Sequence, residues 1–199
     1  MAGTFDTIIT QGVRAGQIPA RTNAAREWYR QTAGNYNAVN ERKLMREAGK
    51  DRLTRTIIPG SMYMYQYDPK YKETLPFYDR FPLVFPFKVE SDRFWGINFH
   101  YLPLNHRAIL MDALYDLTTN QRYDESTRLK LSYQMLSKAA KFRYFKPCVK
   151  QYLFDHLQSQ FLYVYPSEWD IALFLPTERF AKASKTQVYA QSKKMLGSR

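Results

Sequence analysis

The three histidines are the side chains that could most readily bind a metal ion or carry a proton. His100 and His106 lie on either side of a predicted strand-to-helix turn, close in sequence to Asp112. Metal centres usually draw their ligands from short, regular spacings, and here no HExxH or HxH motif and no neighbouring cysteine accompanies the histidines. A surface or hydrogen-bonded position is the favoured interpretation for His100, His106 and His156. We predict no metal site and no cofactor.

Three aspartates form the second candidate for catalysis. Asp68, Asp79 and Asp92 could meet as the divalent-metal cluster of a nuclease. Each lies in a turn-like context, Tyr-Asp-Pro, Tyr-Asp-Arg or Ser-Asp-Arg, in which an aspartate commonly accepts a hydrogen bond from its own backbone. The sequence also contains no GxGxxG, GxxxxGK[ST] or GxSxG motif. We expect a protein without catalytic residues, with the nuclease as the minor alternative.

Cys148 is the single cysteine, so an internal disulfide is excluded. It follows Phe-Lys-Pro at the start of an apolar pattern, where a buried small side chain is ordinary, and a reactive thiol is the alternative. The N-terminal residues do not resemble a signal peptide, and no apolar run approaches the roughly 20 residues of a membrane-spanning helix. These features predict a soluble intracellular protein with no membrane partner.

The charge of the chain favours a polyanionic partner. It has 30 Lys and Arg against 18 Asp and Glu, a net charge of +12, which suits nucleic acid or an acidic protein. Between residues 128 and 150 seven basic residues occur without an acidic one, and aromatic residues are interleaved with them. Cationic side chains bind phosphates, and exposed bases stack on aromatic rings. The candidate DNA or polyanion site consists of Arg128, Lys130, Lys138, Lys141, Arg143, Lys146 and Lys150.

A solvated cationic face is the alternative for this basic stretch. Its aromatic residues would then turn into the core, which is the interpretation we favour for them. For the cations we favour contact with a polyanion or an acidic protein. The aromatic residues are Tyr133, Phe142, Tyr144 and Phe145.

Alternating apolar residues predict three strands between residues 61 and 101. The first includes Met62 and Met64, and the second spans residues 80–90. The third is RFWGINFHY, and a hairpin turn at VESDR joins it to the second. On the second strand, the face predicted to lie in the core carries Phe81, Leu83, Phe85 and Phe87.

The opposite face of the second strand carries Pro82, Val84 and Pro86. Residues two apart direct their backbone N–H groups to the same side of a strand, and proline has no N–H to donate. We therefore predict that this strand lies at an edge of the sheet. The same three residues are the candidate strand-edge interface for another subunit.

Helices are predicted before and after the strands from their apolar spacing and end signals. A break is expected at Gly34 and Asn35, and FLYVYP adds a late strand. The predicted helices are residues 5–14 and 24–48, PLNHRAILMDALYDLT, DESTRLKLSYQMLSKAAKF, CVKQYLFDHLQSQ, SEWDIALFLP and a basic tail, SKTQVYAQSKKMLGSR.

The predicted fold class is α+β, a small antiparallel sheet or partial barrel packed with several helices and preceded by an extended helical N-terminal arm. Residues 1–58 are the basic, partly helical arm, because they carry few large apolar side chains. Residues 59–199 are a single α+β domain with a basic C-terminal tail from about residue 184. A peripheral helix packed on its own domain is the alternative for the arm.

Four stretches of the chain resemble virion proteins of contractile-tail phages of the T-even-like group, mainly as carried by cyanophages. They are GSMYMYQYDPKYKETLPFYDRFPLVFPF, GINFHYLPLNHRAILMDALYDL, FKPCVKQYLFDHLQSQFLYV and PSEWDIALFLPTERFAKASK, which lie roughly within residues 60 to 186. The family is that of the DNA end protectors, which act at head completion. The resemblance brings no catalytic motif with it.

The resemblance implies a protein that joins the packaged head or neck late in assembly. It would bind the end of the double-stranded genome or the portal-proximal channel and shield that end from host exonuclease. The implied partners are other virion proteins in a symmetric oligomeric assembly, and the implied location is the virion, after synthesis in the host cytoplasm. The alternative is a tail or baseplate component that binds only other virion proteins, since permanent parts of assemblies also combine hydrophobic cores with connecting arms.

Overall fold

The computed structural model of the chain describes residues 3–19, 21–118, 134 and 143–197. Within them, strands and helices pack together as predicted for the α+β class. The strands are β1 (Leu53–Thr54), β2 (Met62–Met64), β3 (Tyr78–Asp79), β4 (Leu83–Val89), β5 (Arg93–Asn98), β6 (Val149–Leu153), β7 (Phe161–Val164) and β8 (Phe180–Ala181). Six of them form an open antiparallel sheet in the order β1-β7-β2-β4-β5-β6, and β3 pairs separately with β8.

The described part of the chain contains six α-helices and several short 3₁₀ turns. The helices are α1 (Thr4–Arg14), α2 (Asn23–Gly34), α3 (Glu41–Glu47), α4 (Leu104–Thr118), α5 (Trp169–Phe174) and α6 (Lys185–Gly197). The 3₁₀ turns are Lys50–Arg52, Phe99–Tyr101, Arg143–Cys148, Phe154–His156 and Pro166–Glu168. None of these helices has the length and apolar character needed to cross a membrane.

The two faces of the sheet build two buried clusters, because successive side chains of a strand point to opposite faces. On β2, Met62 and Met64 belong to the larger cluster, which the helices cover. Tyr63, between them, belongs to a smaller and mostly aromatic cluster together with Tyr65 and Tyr152. The predicted core face of β4 is confirmed, since Phe81, Leu83, Phe85 and Phe87 are all buried in the larger cluster.

The hairpin between β4 and β5 is also confirmed. The Glu90 N–H donates to the Arg93 carbonyl at 2.8 Å, which closes the turn. Gly96 on β5 allows the strands to approach closely, because a Cβ at this position would lie 2.3 Å from Cγ1 of Val84 and 2.8 Å from the carbonyl oxygen of Phe85. The pairing of β4 with β5 is therefore the one that the alternating residues and the short turn predict.

The prediction of an edge strand is wrong. β4 lies inside the sheet, where Val84 pairs with Tyr63 of β2 on one side and with Asn98 of β5 on the other. Pro82, Val84 and Pro86 are all buried. Buried residues of an interior strand cannot receive a strand from another subunit, so they are not a strand-edge interface.

Both prolines lie outside the backbone pairing that β4 forms with β2. That pairing has two pairs, which involve Leu83 and Val84 only. Pro82 precedes it, and Pro86 follows it at a point where its carbonyl accepts the Gly60 N–H at 3.0 Å. The pairing with β5 is irregular just after Pro86. A proline is tolerated at strand ends and irregularities, so the missing N–H groups do not require a free edge.

The helix predicted for CVKQYLFDHLQSQ is also wrong. Val149–Leu153 form β6, which pairs with β5 along its length, and a 3₁₀ turn at Phe154–His156 ends it. The ring of Tyr152 stacks on that of Phe94 with centroids 5.2 Å apart. A short apolar run fits the periodicity of a helix and that of a strand, and here the packing of side chains across neighbouring strands favours the strand.

The other described helices follow the sequence. α1, α4, α5 and α6 lie where they are predicted, and the expected break separates α2, which ends at Gly34, from α3, which begins at Glu41. The helix predicted for DESTRLKLSYQMLSKAAKF lies outside the described residues except at Gln134, which is helical and exposed.

The N-terminal helices do not extend from the domain as an arm. Phe5 and Ile8 of α1 and Tyr29 and Ala33 of α2 are buried in the same cluster as the sheet residues. α2 packs on α5, and ion pairs join the two helices. The prediction of an extended arm is therefore wrong for these helices, and the structure has the alternative in which they lie on their own domain.

Candidate functional site

The structure describes two of the seven candidate basic side chains. Lys146 is exposed near the end of the 3₁₀ turn Arg143–Cys148, and Lys150 lies half-buried on β6. Of Arg143 the backbone alone is described, at the start of the same turn. The remaining candidates, Arg128, Lys130, Lys138 and Lys141, lie outside the described residues.

Lys150 faces a cleft instead of open solvent. Its ammonium nitrogen lies 4.0 Å from the centroid of the Tyr101 ring, a cation–π geometry. Among the residues that the structure describes, no carboxylate contacts it. Burial lowers the pKa of Lys150, because a partly dehydrated ammonium is less stable than a hydrated one. An anion that entered the cleft would give the Lys150 ammonium group an oppositely charged partner.

The cleft has a volume of about 610 Å³ and lies between the segment 67–79 and the strands β5 and β6. We call it the tyrosine cleft. The aromatic residues that line it are Tyr67, Tyr71, Phe77, Tyr78, Tyr101 and Tyr152. Basic side chains at Lys70, Arg93 and Lys150 stand among them. The cleft therefore combines ring faces with ammonium and guanidinium groups.

His100 is a hydrogen-bonded core residue, as the favoured interpretation holds. It is fully buried, with Nδ1 2.7 Å from Oδ2 of Asp79 and Nε2 3.1 Å from Oγ1 of Thr177. Asn98 Nδ2 donates to the same Asp79 oxygen at 3.1 Å. Burial opposes the ionisation of Asp79, but the charge and hydrogen bond of His100 outweigh it and the pKa of Asp79 is lowered. These hydrogen bonds join β3, the end of β5 and the segment at Thr177 next to the cleft.

The three aspartates do not converge. Asp79 is buried and accepts the Phe81 N–H at 3.1 Å, the backbone bond that its turn context predicts. Asp68 pairs with Lys72 at 2.8 Å, and Asp92 pairs with Arg93 at 2.6 Å. In the described ranges no group of three His, Cys, Asp or Glu side chains could hold a metal ion. The geometry of these residues offers no nuclease centre.

Cys148 is buried in the larger cluster. Burial raises the pKa of its thiol to about 12, so the thiol stays protonated near neutral pH and is a poor nucleophile. The predicted core position is confirmed, and the alternative of a reactive thiol is not supported.

The tyrosine cleft was not predicted from the sequence. Tyr71, Phe77 and Tyr78 precede the strand predicted at residues 80–90 and stand outside its alternating core pattern. Aromatic residues that lie in a turn-rich segment, and that belong to no predicted core face, were the feature of the sequence that could have indicated the cleft. What the sequence does not show is that this segment faces β6, some 80 residues further along the chain.

Over the described residues, the structure is an α+β protein with an aromatic cleft that carries basic side chains, and Asp68, Asp79 and Asp92 do not form a metal cluster. The family described as Phage T4 terminal DNA protecting protein matches residues 8–197, and the chain belongs to this family. The family resemblance drawn from the four sequence stretches is thereby confirmed. Comparison with curated proteins and with solved structures gives no match.

Proposed function

We propose that the protein is a virion component that binds the end of the packaged double-stranded DNA and protects it from exonuclease. The observation that carries this proposal is the family match over residues 8–197, whose description names the protection of terminal DNA. The protein joins the head or neck at completion, beside the portal, together with other virion proteins in a symmetric assembly. It acts by occupying the DNA end and catalyses no reaction.

The charge of the chain supports this proposal. An exonuclease must reach the terminal nucleotide, so a protein that covers it protects the DNA without any chemical step. The net charge of +12 attracts the phosphate backbone, and counterions released from the DNA make such binding favourable and sensitive to salt. The proposed phosphate contacts are the candidate basic residues Arg128, Lys130, Lys138, Lys141, Arg143, Lys146 and Lys150.

Protection of an open end is the first expected result. The protein should slow exonuclease digestion of linear duplex DNA, and it should bind that DNA more tightly than a duplex of equal length closed by hairpins at both ends. Digestion is followed on gels, and binding is measured by fluorescence anisotropy. Incubation with Mg²⁺ or Mn²⁺ alone should leave the linear DNA intact, whereas metal-dependent cleavage would establish the nuclease instead.

A second expected result concerns the salt dependence of DNA binding. Each phosphate contact contributes roughly 0.9 to the slope of log affinity against log salt concentration. Replacement of Lys138, Lys141, Arg143 and Lys146 by Ala should therefore reduce that slope by about 3 to 4 if all four contact phosphates. The slope is measured by titrations at several NaCl concentrations.

The matched control removes four exposed cations from another stretch of the chain. They are Arg42, Arg46, Lys50 and Arg55. An equal loss of slope in the control would show that overall charge acts and would rule out the basic stretch as the site. Absence of DNA affinity in the unmodified protein would instead favour a tail or baseplate component that binds only virion proteins, and cryo-EM of the virion would show the chain there.

A further inference from the structure

The rim of the tyrosine cleft carries one exposed aromatic ring and two half-buried ones. Tyr71 is 63% exposed, and its ring lies 5.4 Å from the Lys70 ammonium. Phe77 and Tyr78 are half-buried beside it, and the Phe77 ring lies against that of Tyr101 at a centroid distance of 5.9 Å. A cleft that places one exposed ring beside two half-buried rings has the shape and the ring faces to receive a planar ligand.

Two lysines of the cleft are available to bind an anion. Arg93 is neutralised by Asp92, and Asp79 is held by hydrogen bonds within the wall. Asp155 is exposed at the margin and opposes an anion there. Lys70 and Lys150 remain, and no carboxylate contacts either of them in the described part of the chain. Two lysines against one exposed carboxylate favour a ligand with a phosphate over a neutral one.

We propose that the tyrosine cleft binds unpaired nucleotides at the end of a DNA strand, with a base against Tyr71 and a phosphate beside Lys150. Inside a duplex, neighbouring bases cover both faces of each base, and a terminal pair leaves one face free. An unpaired nucleotide offers both faces of its base and can enter a cleft that a base pair is too wide to enter. The volume of about 610 Å³ lies within the range of sites for small ligands. This inference rests on the proposed function, because it names the part of the DNA end that the protein holds.

The test compares DNA molecules that differ only at their ends. The probes are a blunt duplex, the same duplex with three unpaired thymidines at the 3′ end or at the 5′ end, and a duplex closed by hairpins at both ends. Affinities are measured by fluorescence anisotropy at one salt concentration. One overhang duplex at least should bind about tenfold more tightly than the blunt duplex, the gain expected when a base stacks on an aromatic ring.

Two variants of the cleft should remove this preference. Tyr71→Ala should leave blunt-end binding unchanged, whereas Lys150→Met should also weaken blunt-end binding, because Lys150 is among the proposed phosphate contacts. Tyr71→Ala removes an exposed ring, so it does not threaten folding, and Lys150→Met removes the charge while keeping the length of the side chain. The matched control is Lys88→Met, because the Lys88 ammonium also lies over a ring, that of Trp95 at 4.5 Å, but on another part of the sheet. This control should keep the tenfold preference.

The outcomes separate the inference from the proposed function. Equal affinity for blunt and overhang duplexes, or a preference that both cleft variants retain, would overturn the cleft as the nucleotide site. Tight binding of open ends over closed ones would in that case still support protection of the DNA end. Equal affinity for open and closed duplexes would overturn both.

Discussion

Replacement of Asp170 by Ala is expected to destabilise the protein by about 3–5 kcal/mol, the usual effect of removing one partner from a buried ion pair. Asp170 is 4% exposed at the start of α5. Its Oδ2 accepts a hydrogen bond from Nε of Arg26 at 3.0 Å, and its Oδ1 accepts one from Nε of Arg30 at 2.7 Å. Without this carboxylate, two buried guanidinium groups would depend mainly on Asp112, whose side chain is 53% exposed.

The matched control for this prediction is Glu27→Ala. Glu27 lies 3.8 Å from Arg30, and its side chain is 57% exposed, so its loss should cost less than about 1 kcal/mol. Urea unfolding at neutral pH measures both changes, and hydrogen exchange should show reduced protection in α2. If Asp170→Ala and Glu27→Ala had the same small effect, apolar contacts alone would hold α2 on α5.

This cluster also shows why the N-terminal region was predicted as an arm. Residues 24–48 carry few large apolar side chains, so their sequence resembles a polar helix without a buried face. Arg26 and Arg30 are nevertheless buried, because Asp170 meets them from a helix 140 or more residues further along the chain. No local pattern reports a partner at that distance, and a charged residue is assumed to be solvated unless the partner is known.

The strands show the same division between local and distant causes. The β4–β5 hairpin was predictable because alternation and a short turn specify it within some 20 residues. The place of β4 in the sheet was not, because it depends on where β2 ends along β4, and β2 pairs with only Leu83 and Val84. β6 has apolar residues at helical spacing, and its pairing with β5 overrides that local signal.

The sequence predicts the kind of ligand that we propose for the candidate site, but not the residues that come together to form the site. Composition predicts a polyanion partner, and the family match agrees with a DNA-binding role. The tyrosine cleft was not predictable. Lys150 on β6 meets Tyr101 in the 3₁₀ turn after β5, and Tyr71 belongs to a third segment. Charge density along a chain can be read from the sequence, whereas the ring that a lysine covers depends on strand pairing.

Acid should destabilise the protein through Glu178, and Glu178→Gln should remove this sensitivity. Burial alone would raise the pKa of Glu178, but the charge of Arg107 acts against it and lowers the pKa to about 2. The Arg107 side chain is fully buried, with a nitrogen 3.8 Å from Oε1 of Glu178, and Lys185 lies 3.0 Å from the same oxygen. The folded state therefore holds the ionised carboxylate more strongly than the unfolded chain does.

The sign and size of this effect follow from proton linkage. Because the folded-state pKa is lowered from 4.5 to about 2, the contribution of Glu178 is complete above about pH 4.5 and is lost as the pH falls towards 2. A tenfold change in proton affinity corresponds to about 1.4 kcal/mol, so the full contribution is on the order of 3 kcal/mol.

Urea unfolding between pH 7 and pH 3 measures this contribution. Glu178→Gln should lower the free energy of unfolding by on the order of 3 kcal/mol at pH 7. The difference from the unmodified protein should narrow as the pH falls, because protonation then neutralises Glu178 in the unmodified protein, whereas the variant lacks this charge at every pH. Glu90→Gln is the matched control, since the Glu90 side chain is 41% exposed and pairs with Lys88 at the surface. A difference that stayed constant down to pH 3 would mean that Glu178 acts through packing and neutral hydrogen bonds, and that its charge does not stabilise the buried Arg107.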